Sequence, residues 1–194
     1  MDELTPFRMP IAMSITGRSS SMTNAFINAI IPVVSPTAEE VRQALKILGM
    51  TPDTIQCAYC GAPASEWDHL RPLVKDKKPT GYISEIHNLV PCCGKCNQSK
   101  GNKAWHAWII SSAKLSPTSR GITDVAERIR RLRAYENWHA PTKIDFEAVV
   151  GKEIWSRHWQ NWECLQSIMR ESQALASTIN QKVASAYANA NSLR

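Results

Sequence analysis

The clearest periodic segment of the chain follows Thr37. Apolar residues recur at Val41, Leu45 and Leu48, which is the spacing of one helix face. A threonine with a glutamate three residues later is the signature of a capping box, and the glycine after Leu48 is a typical helix stop. The pattern predicts a helix over residues 38–48 that packs its apolar side against a core.

A second helix is predicted over residues 122–136. Val125, Ile129 and Leu132 form its apolar stripe, and Thr123 is placed to cap it. The arginines of this segment lie outside the stripe, where a basic helix face is more often solvated than bound to a partner.

A third and longer helix, with a break or two, is predicted over residues 152–190. Its apolar face is formed by Trp155, Trp159, Trp162, Leu165 and Met169. Such a stripe is more often part of a core than a platform for stacking bases. Residues 1–36 have little pattern, so we expect an extended or mobile segment with one short helix near residues 24–31.

The central part of the chain has shorter and more mixed patterns. Strand-like pieces are predicted around residues 67–70 and 86–90, and the segment 71–84 between them has the lysines, prolines and glycine of an exposed basic loop. Helical spacing returns after residue 97. The whole pattern predicts a mostly helical α+β fold. We divide it into a leading segment, residues 1–36, a central domain, residues 37–112, and a helical C-terminal region, residues 113–194.

Composition adds a basic charge to this picture. The 194 residues include 23 Lys and Arg against 17 Asp and Glu, which gives a net charge of +6. Such a charge permits a nucleic-acid partner without requiring one. No stretch approaches the roughly 20 apolar residues of a membrane-spanning helix. We therefore expect a soluble cytoplasmic protein without a membrane partner, whose cysteines are reduced.

Four of the six cysteines form two Cys-x-x-Cys pairs, Cys57 with Cys60 and Cys93 with Cys96. Two intervening residues let both sulfurs of a pair reach one tetrahedral ion, so the pairs predict a structural Zn²⁺ site. Four thiolates close the coordination shell, and this metal is expected to hold the fold rather than to do chemistry. Cys92 is interpreted as a small buried residue or a replacement ligand, and Cys164 as a core residue.

Asp68, His69 and Asn97 supply the groups that phosphodiester hydrolysis requires. A divalent cation neutralises the phosphate and stabilises the leaving oxygen, and carboxylate and amide oxygens are suitable ligands for it. A neutral imidazole can accept a proton from water near physiological pH. Neighbouring side chains on a flat strand point to opposite faces, so Asp68 and His69 could serve one site only where a strand ends or bends.

These residues stand in a longer run of motifs. Cys-x-x-Cys is followed by Asp-His-Leu, then Asn-Leu-Val-Pro, then Cys-x-x-Cys-Asn-x-x-Lys-Gly, over roughly residues 57–104. In content and order this run resembles the HNH endonucleases. The resemblance implies a small ββα-metal core pinned by a four-cysteine zinc, and a hydrolase whose products carry a 5′-phosphate and a 3′-hydroxyl.

The resemblance also implies a role for each matched residue. His69 would be the general base, and Asp68 and Asn97 would hold one Mg²⁺ or another divalent cation. Asn88 would orient the loop of His69 through hydrogen bonds, and Lys100 would lie near the backbone phosphates. Many members of the family have histidine where this chain has Asn97, and an amide oxygen suits Mg²⁺ better than softer metals.

We therefore predict a metal-dependent endonuclease that acts on DNA, in restriction, phage defence or a mobile element. The groups expected to contact phosphates are Arg71, Lys75, Lys77, Lys78, Lys95, Lys100 and Lys103. Double-strand cleavage would require a homodimer or two successive nicks. Two alternatives stay open, namely a zinc-stapled nucleic-acid-binding module without catalysis and an RNA-cleaving toxin on the same scaffold.

Overall fold

The computed structural model describes residues 10–192. The chain divides into two compact units, one formed by residues 27–150 and the other by the residues up to 26 together with those from 151 onward. The helices are α1 Ser19–Asn28, α2 Ala38–Leu48, α3 Gly94–Lys100, α4 Trp105–Ile109, α5 Val125–Trp138, α6 Phe146–Val150 and α7 Lys152–Ser192. The strands are β1 Glu66–His69, β2 Val74–Lys75, β3 Lys78–Pro79 and β4 Leu89–Cys92.

This element list confirms the predicted fold class, which is mostly helical α+β with short strand pairs. The finer division at residues 37 and 113 stays a prediction. None of the described helices is both long and apolar enough to cross a membrane.

Helix α2 has the predicted bounds because both of its ends are capped. The hydroxyl of Thr37 accepts from the backbone N–H of Glu40, and the Glu40 carboxylate accepts from the backbone N–H of Thr37. Gly49 ends the helix in the left-handed region, with φ of 68°. The predicted apolar side is partly right, since Leu45 and Leu48 are buried whereas Val41 is 37% exposed.

Strands β1 and β4 form an antiparallel pair, with Asp68 opposite Val90 and His69 opposite Leu89. Helix α3 follows β4 directly and packs on β1. Two strands and a helix thus lie together in the order that the family resemblance implies. The strand predicted from residue 86 begins later, because Ile86–Asn88 is a single 3₁₀ turn closed by a bond from the Asn88 N–H to the Glu85 carbonyl.

The segment between β1 and β4 is more ordered than the predicted loop. Strands β2 and β3 pair antiparallel through a two-residue turn. Both turn residues, Asp76 and Lys77, have positive φ, of 50° and 61°. Such a turn matches the twist of a hairpin, and the lysines at its tip are exposed.

Helix α5 begins at Val125 rather than at residue 122, and Thr123 does not cap it. Asp124 occupies the N-cap position without a capping hydrogen bond from its side chain. The buried side of the helix carries Leu132, as predicted, and also Tyr135, whose hydroxyl donates to the carbonyls of Ile86 and Leu89. Helix α5 therefore belongs to the same core as the β1–β4 pair.

The second unit is built on α7, which is continuous over its 41 residues. The predicted breaks are absent from it, and the sequence of the helix contains neither glycine nor proline. Trp159 and Met169 are buried on the predicted face, and Trp162 donates to the Thr23 hydroxyl at 3.1 Å. Helix α1 begins at Ser19, earlier than the helix predicted near residues 24–31. Cys164 is exposed, so its assignment to the core was wrong.

Candidate active site

Four buried sulfurs form a compact cluster beside the β1–β4 pair. The Sγ atoms of Cys57, Cys60, Cys93 and Cys96 all lie within 4.8 Å of one another. The Cys60 and Cys93 sulfurs are 3.7 Å apart. Four ligands at the Zn–S length of about 2.3 Å would be roughly 3.8 Å from one another, so the cluster has the size that a tetrahedral zinc ion needs. Cys92 is buried outside the cluster, and burial raises the pKa of its thiol to about 12.

The thiols of the cluster influence one another. A hydrogen bond with Cys60 raises the pKa of Cys57 to about 11, and the same contact lowers the pKa of Cys60. A metal ion bound by all four sulfurs would replace this sharing of protons.

Two arginines secure the sulfur cluster from outside. Arg128 of α5 is buried, pairs with Asp124 at 2.7 Å and donates to the Cys57 carbonyl at 3.2 Å. Its guanidinium lies directly over Gly61, where an added Cβ would come within 2.3 Å of it. Arg120 donates to the Cys96 sulfur at 3.3 Å, so it brings positive charge to a site that would hold four thiolates.

Asp68 points from β1 towards α3 and is only 6% exposed. Its Oδ2 accepts from the Tyr59 hydroxyl at 2.5 Å. The amine of Lys100 lies 3.2 Å from Oδ1 and 2.9 Å from Oδ2. Burial raises the pKa of the carboxyl, and the positive charge of Lys100 opposes that effect. A carboxylate offers about four lone-pair positions, so Oδ1 keeps capacity for a cation beside its contact with Lys100.

Lys100 has no exposed surface, which differs from its predicted place at the backbone phosphates. Besides Asp68, its amine donates to the backbone carbonyl of His69 at 2.7 Å. The lysine is the fourth residue of the Asn-x-x-Lys run, so a helical turn brings it back over β1, where a buried carboxylate requires a partner.

His69 is the last residue of β1 and its side chain has a different neighbourhood from that of Asp68. The ring nitrogen Nε2 lies 2.9 Å from the Ser84 hydroxyl oxygen. Burial, together with the positive charge of Lys100, lowers the pKa of His69 to about 4. The imidazole is therefore neutral at physiological pH, as a proton acceptor must be.

Asn97 lies on α3 one turn before Lys100. Its Nδ2 donates to Oε2 of Glu66 at 2.5 Å. Because a carboxylate only accepts hydrogen bonds, the amide oxygen Oδ1 of Asn97 must face away from Glu66, where it is available to a cation. Glu66 itself lies against Gly94, where an added Cβ would come within 2.8 Å of its Oε1.

Asn88 is fully buried and ties the start of β4 to the chain beyond β1. Its Oδ1 accepts from the Arg71 backbone N–H at 2.8 Å, and its Nδ2 donates to the Arg71 carbonyl at 3.0 Å. The Leu70 N–H donates to the Asn88 carbonyl at 2.8 Å. These bonds fix the main chain immediately after His69.

The predicted phosphate-contacting residues fall into two groups. Lys75, Lys77, Lys78, Lys95 and Lys103 are exposed. Arg71 and Lys100, in contrast, are paired with carboxylates. Arg71 pairs with Glu136 at 3.2 Å and lies over the Tyr82 ring, and the buried Lys100 pairs with Asp68 at 2.9 Å.

The alternation of side chains between the two faces of β1 explains which predicted side chains meet and which do not. Glu66 and Asp68 share the face of β1 that meets α3, at Asn97 and Lys100. His69 points elsewhere, to Ser84. Sequence reasoning missed Tyr59, Glu66 and Ser84. Only Glu66 left a signal, since its position two residues before Asp68 places it on the same face.

Comparison with known proteins agrees with this geometry. A sequence profile of the HNH endonuclease family matches residues 57–103. The chain is also 31% identical over 142 residues to the CRISPR-associated endonuclease Cas9 of Corynebacterium diphtheriae, an alignment that covers 69% of this chain and 12% of that protein. The chain thus spans only about an eighth of the length of this relative. No solved structure gives a significant match.

Residues 57–103 form an HNH endonuclease domain. The paired cysteines, the Asp-His end of β1 and the asparagine of α3 all lie within it.

Proposed function

We propose that the chain is a metal-dependent endonuclease that hydrolyses DNA phosphodiester bonds. The observation that carries this proposal is the arrangement at β1. The strand ends in Asp68 and His69, and α3 packs on it with the Asn97 amide oxygen turned away from Glu66. The match to the HNH endonuclease family supports the same reaction class.

The residues fit a divalent cation by the chemistry of their donors. Asp68 Oδ1 and Asn97 Oδ1 would hold it, and both are oxygen ligands of the kind that Mg²⁺ prefers. When bound, such an ion neutralises charge on the phosphate and on the leaving oxygen.

The remaining steps belong to the chain's own groups. His69 accepts a proton from the attacking water, whose oxygen bonds to phosphorus while the bond from phosphorus to the 3′ oxygen breaks. The leaving 3′ oxygen takes up a proton from solvent, which gives 5′-phosphate and 3′-hydroxyl ends. Asn88 holds the main chain after His69, and Lys100 holds the carbonyl of His69 itself.

We propose Zn²⁺ as the occupant of the four-sulfur cluster, with a purely structural role. The cluster closes the chain where Cys57 and Cys60 meet the start of α3. All four ligands come from the protein, so no position remains for water or substrate.

DNA is proposed to approach the exposed lysines of the β2–β3 hairpin and of α3 and its following turn. Each phosphate that a lysine neutralises releases counterions, so binding should weaken steeply with salt. Replacing Lys75 and Lys77 together by glutamine is expected to lower the salt slope by roughly two units. Restriction, phage defence or a mobile element is the setting we propose.

The central test is cleavage of supercoiled plasmid by the zinc-loaded protein, with Mg²⁺ or with EDTA. His69→Ala is expected to abolish Mg²⁺-dependent nicking while zinc content stays at that of the wild type. His106→Ala is the matched control, since that exposed histidine lies outside the proposed site and contacts only the carboxylate of Glu136 among its described polar partners. Full activity of His69→Ala would remove this residue from the mechanism.

The same preparation distinguishes the alternatives. Salt-sensitive DNA binding without cleavage by the wild type would favour a binding module. Cleavage of RNA but not of a DNA of the same sequence would favour an RNA-cleaving enzyme. Linear product whose rate rises with the square of protein concentration would indicate a homodimer, and accumulation of nicked circles would indicate successive nicks.

A further inference from the structure

The contact between His69 and Ser84 joins the last residue of β1 to a segment outside the ββα core. The Nε2 atom of His69 and the Oγ atom of Ser84 are 2.9 Å apart and partly shielded from solvent. No sequence motif marked Ser84, and the proposed function gives it no part so far.

Ser84 is fixed by its main chain on both sides. Its N–H donates to the Pro32 carbonyl at 3.2 Å, and its carbonyl accepts from the Val34 N–H at 2.8 Å. The two bonds make a parallel bridge between Ser84 and Val33. The position of the hydroxyl is therefore set by the backbone rather than by a mobile loop.

A neutral imidazole carries one N–H and one lone pair, and the partner of one nitrogen decides which nitrogen is which. If the Ser84 hydroxyl accepts a hydrogen bond from Nε2–H, the lone pair is on Nδ1, which faces away from Ser84. If the hydroxyl instead donates to Nε2, Nδ1 carries the proton and the only basic lone pair of the ring is already occupied by Ser84. Only the first arrangement allows His69 to take a proton while keeping its contact with Ser84.

We propose that Ser84 is a positioning residue that accepts a hydrogen bond from Nε2–H of His69 and so makes Nδ1 the atom that receives the proton from water. The proposal rests on the proposed function for its catalytic meaning. The tautomer of His69 can nevertheless be measured without cleavage.

The direct test is ¹⁵N nuclear magnetic resonance of the imidazole nitrogens in zinc-loaded protein at pH 7, without DNA. The chain has five histidines, and His69→Ala assigns the His69 signals by their loss. We expect the wild-type ring to be protonated at Nε2 and unprotonated at Nδ1. A ring protonated at Nδ1 would overturn the proposal, whether or not the protein cleaves DNA.

Threonine and valine have nearly the same shape, so two variants at Ser84 separate the effect of the hydroxyl from that of side-chain size. Ser84→Thr keeps a hydroxyl and Ser84→Val replaces it by a methyl group, and both suit an extended backbone. In Ser84→Val we expect the Nε2–H tautomer to lose its dominance and single-turnover cleavage at saturating Mg²⁺ to fall about five- to tenfold, the usual worth of one hydrogen bond. Ser84→Thr should keep the wild-type tautomer and a rate within about twofold.

The outcomes distinguish the two levels of inference. Equal rates and equal tautomers in the Thr and Val variants would remove Ser84 from the mechanism. The wild-type protein could instead cleave nothing and yet show the Nε2–H tautomer, with that tautomer lost in Ser84→Val. This result would refute the proposed function and support the positioning contact.

Discussion

Replacing Lys100 by methionine tests the buried charge pair beneath the candidate site. The methionine keeps most of the apolar stem but removes an amine that contacts both oxygens of Asp68 and the carbonyl of His69. Breaking a buried pair by removal of one partner costs about 3–5 kcal/mol. Proton uptake by Asp68 limits the loss, because protonating an ordinary aspartate carboxyl, with a pKa of about 3.9, costs roughly 4 kcal/mol at pH 7. We therefore expect a free energy of unfolding lower by about 4 kcal/mol at pH 7.

Hydrogen exchange is the suitable measurement because the chain has two units and a single unfolding curve would mix them. The slowest amides of β1 and α3 report on residues 27–150 alone. Lys103→Met is the matched control, since its exposed amine contacts only the Ser99 carbonyl among its described partners, and it should change stability by less than about 0.5 kcal/mol.

Two further results would complete this test. Without Lys100 the pKa of Asp68 in the folded state rises further above its unfolded value, so the folded variant binds a proton that the unfolded chain does not. Its deficit should therefore shrink as the pH falls from 7 to 5. The double variant Lys100→Met with Asp68→Asn should recover more than half of the loss. Equal stability of Lys100→Met and Lys103→Met would refute the reasoning.

Three other predictions use matched pairs or separate readouts. Gly61→Ala should lose about 2–3 kcal/mol more by the same exchange measurement than Gly121→Ala, because both have positive φ, of 75° and 70°, but only at Gly61 would a Cβ meet a buried guanidinium. Cys96→Ser should lose bound zinc by elemental analysis whereas Cys164→Ser keeps it, and equal zinc content would reject the four-cysteine site. Glu66→Ala should raise the Mg²⁺ concentration for half-maximal cleavage about tenfold, since its carboxylate fixes the asparagine amide, and an unchanged requirement would count against that role.

The local features of the fold could be predicted from the sequence. Helix α2 was predicted at its observed bounds because Thr37 and Gly49 specify its ends through neighbours in the chain. The two cysteine pairs likewise meet because each turn is set by a few consecutive residues. The predicted start of α5 and the predicted breaks in α7 were wrong, since helix limits without strong caps depend on packing.

The partners of the site residues could not be predicted, because they are distant in sequence. Lys100 reaches Asp68 across 32 positions and Arg128 reaches Cys57 across 71. From the sequence alone, a lysine beside a phosphate-binding motif is expected to contact phosphate at the surface. Only the structure shows that Asp68 is buried and takes Lys100 as its partner. The Ser84 hydroxyl is placed by a bridge to residues 32–34, which have no periodic pattern to reveal it.

The contacts of α5 determine how short a fragment of this chain can be and still keep its fold. The family match ends at residue 103, yet Arg128 bonds to the carbonyl of Cys57, and Tyr135 bonds to the chain on either side of Asn88. A fragment cut at the end of the match would lose these contacts and expose both the turn at Cys57 and the start of β4. Any transplant of the matched domain into another protein should therefore carry the chain through Trp138, so that the contacts of α5 are kept.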